Sequence, residues 1–253
     1  MGTIRTIGWV AFTLALCWAC TSSDGASAGK GPEAVVAGAD PQDAASETVA
    51  AASQAPAMIA EGAARAWRFD DTPLGQLPGD VVVVTGRWAV SEDNSAPSAS
   101  RVLEQMAANG GSVFNLVLVS GTDYQDLDLS VQMRALSGRI DRGGGLVWRA
   151  QDAKNYYIAR YNPLEDNFRV YKVTNGHRRQ LKSARLRVGH EVWHSMRVVM
   201  RRDHIECFLD GTKQLDVYDT TFVDAGQIGV WTKADAKTRF DDLEVAESAP
   251  EHD

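Results

Sequence analysis

The chain of 253 residues is 44% hydrophobic and 23% charged, with a formal net charge of −7. Such proportions exclude a wholly disordered, collagen-like or multi-span membrane chain. Residues 65–246 balance 24 basic against 24 acidic residues, so the acidity belongs to the two ends and no basic excess points to nucleic acid.

In chain order, residues 1–19 read as a secretory signal peptide. Arg5 supplies the positive start, and residues 7–19 form an apolar stretch of 13 residues, short of the ~20 that a membrane span needs. Cys20 follows the small Ala19. That junction resembles the lipobox of bacterial lipoproteins, which implies lipidation of Cys20 and an exported protein held at the cell envelope. A cut nearby that leaves Cys20 a free thiol is the alternative. Residues 20–64 are rich in Ala, Gly and Ser, include Pro32, Pro41 and Pro56, and contain no aromatic residue. Such a segment buries too little apolar surface to offset its ordering entropy, so a disordered tether is expected. Residues 247–253 form an acidic tail.

Between the tether and the tail the pattern has period two, the signature of half-buried strands. Strands are expected at 81–84 and 87–90, then a polar loop at 91–100, then either a strand or a short helix at 102–108. The apolar run 113–119 reads as a strand covered on both faces. In 126–136, Leu127, Leu129, Val131, Met133 and Ala135 alternate with polar residues. Further strands are expected at 145–150, 155–161, 168–173, 193–200, 204–209, 214–217, 226–232 and 238–245. The pairs Asn175-Gly176 and Asp210-Gly211 mark hairpins, because both central positions of a type I′ turn take positive φ. Strands at this spacing without helical interludes predict one all-β domain, an antiparallel two-sheet sandwich or a barrel, over 65–246. Cys207 falls in an alternating run and reads as a small core residue.

The runs GGGLVWRAQDAKNYY at 143–157 and RYNPLEDN at 160–167 resemble concanavalin A-like lectin/glucanase domains. So do WHSMRV at 193–198, FLDG at 208–211, GQIGVWTK at 226–233 and FDDLEV at 240–245. Bacterial secreted proteins of this kind are grouped with the 3-keto-disaccharide hydrolase domain and are similar to laminarinase-type glycoside hydrolases. The resemblance implies a jelly-roll sandwich with any sugar site on its concave face or loops. It carries over no catalytic residue, since the Glu-x-Asp-x-x-Glu run of laminarinases does not occur. Asp126 and Asp128 have the i, i+2 spacing of a same-face pair but read as a solvated strand entry. Related sandwiches hold a structural Ca²⁺ near the chain ends, and Asp242 would suit that hard ion; a salt bridge is the alternative. No other cofactor is expected.

Sugar recognition needs aromatic faces and fixed hydrogen-bond donors. Arg134, Arg149, Tyr156 and Arg160 are the candidates. Alternation puts Tyr156 and Arg160 on one face, with Arg149 able to join them from the neighbouring strand and Trp148 facing away. Truncating either Arg149 or Arg160 should then open no core cavity. Ordinary surface ion pairs are the competing account of these arginines. Trp67, Trp88, Trp193 and Trp231 read as core or rim packing. His177, His190, His194 and His204 are scattered without a metal-binding spacing, and the basic run at 178–187 reads as a solvated edge strand with Arg178 and Lys182 facing the same way. The expected function is a lipid-anchored carbohydrate-binding protein. The alternatives are a glycoside or 3-keto-glycoside hydrolase, and a structural or interaction domain without a sugar ligand.

Overall fold

The computed structural model describes residues 64–248. The expected signal peptide, Cys20 and the tether as far as residue 63 lie outside the described residues. Strands β1 (Arg65–Trp67), β2 (Val81–Thr85), β3 (Trp88–Glu92), β4 (Arg101–Gln105) and β5 (Phe114–Val119) lead to β6 (Leu127–Ser137). A meander follows: β7 (Gly144–Asp152), β8 (Asn155–Asn162), β9 (Asn167–Thr174) and β10 (His177–Arg185). The last five are β11 (Trp193–Arg201), β12 (His204–Leu209), β13 (Thr212–Tyr218), β14 (Gln227–Lys233) and β15 (Lys237–Glu247). The segment that could have been strand or helix is the strand β4.

Two antiparallel sheets form a sandwich. One runs β13-β12-β11-β6-β15-β4-β3, with β1 added beside β15; the other runs β10-β9-β8-β7-β14-β5-β2. Alternation sorts the side chains as the pattern requires. Leu127, Leu129, Val131 and Met133 of β6 point into the core, where they join Met196 and Val198 of β11 and Trp148, Tyr157 and Val230 from the facing sheet. Cys207 is buried in the same core. Asn175 and Gly176 have φ of 52° and 81°, Asp210 and Gly211 of 50° and 75°, so both expected hairpin turns form with positive φ at their two central residues.

Strands β5, β7 and β8 are buried along nearly their whole length. An apolar strand run of this kind needs cover on both faces. The inner face is covered by the opposite sheet. On the outer face a second cluster gathers Leu116 and Leu118 of β5, Val147 of β7, Tyr156 and Ile158 of β8, Val173 of β9 and Trp231 of β14.

Two irregularities redirect side chains. In β7 the register shifts between Trp148 and Asp152, and Arg149 takes a φ of 44°. In β15 it shifts between Asp241 and Glu244, with Asp242 at φ 46°. The second bulge stands where the neighbour of β15 changes, from β4 along residues 238–240 to β1 along residues 243–245.

Candidate functional site

The outer face of the seven-stranded sheet is built by cross-strand pairs. Arg178 lies opposite Val173, which lies opposite Tyr156; Arg169 lies opposite Arg160, which lies opposite Gly145; Gly145 lies opposite Trp231, and Lys233 opposite Phe114. Directly paired residues share a face. Aromatic rings and cations therefore alternate across one surface.

That surface is concave. The Arg178 guanidinium stands 4.3 Å from the ring centre of Tyr171, 5.5 Å from Trp231 and 5.6 Å from Phe114. These residues sit on β10, β9, β14 and β5. Five strand intervals separate β10 from β5, which would be ~24 Å in a flat sheet at ~4.8 Å per strand. Only a sheet curled toward this face lets one side chain reach both. Arg178 thus roofs the rings, gaining cation–π contacts on three of them, while Phe114 and Trp231 pack against each other at 5.2 Å.

Beside the rings is a charged cluster. Arg160, 1% exposed, donates to both carboxylate oxygens of Asp141 and to Glu165, each at 3.2 Å, and to the Tyr171 hydroxyl at 3.3 Å. Glu165 also accepts from Arg169 at 3.0 Å. Asp141 is brought here by its loop, whose three N–H groups at residues 139–141 donate to the Asp235 carboxylate. Burial raises the Asp141 carboxyl above its ordinary range, against the pull of Arg160 and Lys233. Burial also acts on Glu165, but hydrogen bonds from Asn167 and the charges of Arg160 and Arg169 overcome it and leave that group lowered. On this face two buried donors, Arg160 Nε and Arg178 Nη1, find no acceptor and one buried acceptor, Asn167 Oδ1, finds no donor, while the Trp231 indole Nε1 faces the Tyr156 hydroxyl. Buried polar groups are rarely left so.

Of the residues expected from sequence, Tyr156 and Arg160 share this face and Arg149 does not. The bulge turns Arg149 to an end of the sandwich, where it donates to the carbonyls of Gln125, Phe222 and Arg202 at 2.6, 2.6 and 2.7 Å and to Asp126 at 3.2 Å. Arg134 lies on the other sheet and holds Asp93, Ser95 and the Glu191 carbonyl. Asp242 pairs with Arg68 at 3.4 Å. Asp128 is bound by Arg197, and Asp126 also accepts from the Arg202 N–H.

The sequence pattern does not mark Arg178, Tyr171, Asp141 or Glu165 as site residues, and Trp231, expected as core or rim packing, is indeed fully buried. One countable signal was present: in the Asn175-Gly176 hairpin Val173 opposes Arg178, so Arg178 shares the face of Tyr171. A bulge at Leu181 then breaks the alternation that would have sent Lys182 the same way. His194 pairs with Asp210, and His204 joins two carboxylates. His204, Glu206 and Asp216 bring possible metal-ligating atoms within 4.8 Å of one another on the β12–β13 hairpin. Lys213 bridges the two acids there at 2.8 and 2.9 Å, so an ammonium already occupies the space between their carboxylates.

Residues 83–246 match the family described as the 3-keto-alpha-glucoside-1,2-lyase-like domain. Among solved structures, the carbohydrate-binding module CBM66 from Bacillus subtilis is similar at a TM-score of 0.57 and 19% identity, covering 66% of this chain and 96% of that one. A Bacillus subtilis protein with a galectin-like fold is similar at 0.50 and 10% identity, covering 68% and 91%. Domain 4 of AbnA, an extracellular arabinanase from Geobacillus stearothermophilus, in complex with arabinotriose, is similar at 0.50 and 10% identity, covering 74% and 92%. No curated protein matches the chain in sequence.

Proposed function

Since the chain belongs to the 3-keto-alpha-glucoside-1,2-lyase-like domain family, we propose that this module-like sandwich binds carbohydrate on the concave face of its seven-stranded sheet. The observation that carries the reading is the meeting of Tyr171, Trp231 and Phe114 with buried, unpaired donors on Arg160 and Arg178. A pyranose offers an apolar C–H face to rings and hydroxyls to fixed donors. For a sugar to reach the rings, Arg178, on an edge strand with a long stem, must rotate off them. The similar fold of a carbohydrate-binding module and of an arabinanase domain holding arabinotriose supports the reading. The test is a glycan array followed by titration calorimetry on the best ligand. Tyr171→Ala should lose most of the binding, and Arg134→Ala, on the opposite sheet, should keep it. A silent array, or equal binding by the two variants, overturns the proposal.

Export and a lipid anchor are part of the proposal, supported by the apolar stretch at residues 7–19 and by Cys20 directly after it. Cys20→Ala should move the protein from the membrane to the soluble fraction.

A second reading, catalysis on a 3-keto-glycoside, is favoured by the opposite displacements of Asp141 and Glu165. A ketone at C3 acidifies the C2–H bond, so a 1,2-elimination needs a base for that proton and an acid for the departing C1 oxygen. Two carboxyls pushed apart in acidity fit those roles. Turnover of a 3-keto-α-glucoside that disappears in Asp141→Asn and Glu165→Gln would establish it; no turnover by the wild type would leave binding alone.

A further inference from the structure

The concave face carries more positive charge than it can neutralise. Its cations are Arg160, Arg169, Arg178 and Lys233; its anions are Asp141 and Glu165. Both acids are engaged by Arg160, and Glu165 by Arg169 as well. Arg178 has rings for neighbours, and rings bear no formal charge. Burial, together with the nearby Arg160, disfavours its charged form despite Tyr171, Asp141 and Glu165.

The unpaired buried atoms here include two guanidinium donors, Arg178 Nη1 and Arg160 Nε, against one acceptor, Asn167 Oδ1, while Trp231 Nε1 faces the Tyr156 hydroxyl. A neutral sugar could accept from the two guanidinium donors, but each hydroxyl also brings a donor of its own, and the excess charge would stay buried and unpaired. A carboxylate or sulfate brings acceptors only, carries the missing charge and fits the guanidinium fork. Resting on the carbohydrate reading above, we propose that the ligand of this face is an acidic sugar, its carboxylate or sulfate held by Arg178.

The experiment uses the folded chain on an array of oligogalacturonates, alginate and κ-carrageenan oligosaccharides. Each stands beside its carboxyl-reduced or desulfated counterpart, with neutral glucans, galactans and fructans on the same slide. The expected result is binding to acidic members at least about tenfold tighter than to their uncharged counterparts, weakening with added salt. Which arm binds assigns carboxylate or sulfate. Arg178→Gln should lose about tenfold to a hundredfold in affinity for the acidic ligand, and Arg178→Lys should retain part of it. The salt series on the wild type stands on its own if a variant folds poorly. Neutral glycans bound as tightly as acidic ones, or an acid preference that survives Arg178→Gln, overturns the inference while leaving carbohydrate binding intact. An array silent to every glycan overturns both.

Discussion

Arg149 donates a 2.6 Å hydrogen bond to the carbonyl of Phe222, 73 residues downstream. The same guanidinium reaches the carbonyls of Gln125 and Arg202, so one side chain stitches three connections that meet at an end of the sandwich. Its left-handed backbone is held by those bonds, since a non-glycine residue at positive φ is otherwise disfavoured.

Arg149→Ala should therefore destabilise the domain strongly. It removes the donor from three carbonyls and keeps the costly backbone. The expected loss is at least about 3 kcal/mol in urea unfolding, or on the order of 10 °C in Tm for a domain of this size. Arg149→Lys should not restore it, because a single ammonium cannot reproduce the fork. A melt equal to wild type would mean that the loops hold without it.

Alternation worked where the strands are regular. Tyr156 and Arg160 sit four residues apart on β8, which pairs with β9 without a register shift, and they face the same way as period two requires. It failed at Lys182, past the one extra residue Leu181, and at Arg149, inside the irregular stretch of β7 where the backbone turns left-handed. The partners of Arg178 were hidden for another reason. Pairing order can be counted along a hairpin, but the curl that brings β10 over β5 arises from the whole sheet.

Arg160 and Asp141 form a buried pair, and breaking it from one side should cost more than removing both charges. Arg160→Met leaves Asp141 without its direct cation and should lose about 3–5 kcal/mol. Asp141→Asn alone should cost less, and the double variant should recover much of the loss. Chemical denaturation of the three variants gives the coupling; additive losses would show that the two groups act independently.

Asp241 is fully buried, and burial pushes its carboxyl up to about 6, against hydrogen bonds from Ser98 and the Asp242 N–H. The folded state thus binds the proton more tightly than the unfolded chain, whose ordinary value is 3.8. Between those values the native protein carries more protons, so this group's contribution to stability falls as pH rises from about 4 to about 6. Asp241→Asn should match wild type near pH 4 and exceed it near pH 7, by on the order of 2–3 kcal/mol. Thermal melts across that range, with no divergence between the two proteins, would refute the assignment.

Cys207 is fully buried in the core, and burial pushes its thiol far up from the ordinary range. A thiol so placed is protonated and shielded at neutral pH. Alkylation of this residue by iodoacetamide should proceed at the rate of unfolding and rise sharply in denaturant. Rapid labelling of the native protein would show that the core opens there.

The pairing of Arg65 with Val245 sets the first strand and the last side by side. The first and last strands of the described residues therefore meet, a single ladder rung apart, about 5 Å. Such a fold is a cassette. It could be spliced into a surface loop of an unrelated host with little distortion of that loop. Its own ends could also be joined and the chain reopened at the exposed Asn175-Gly176 tip, giving a circular permutant with every strand pair intact.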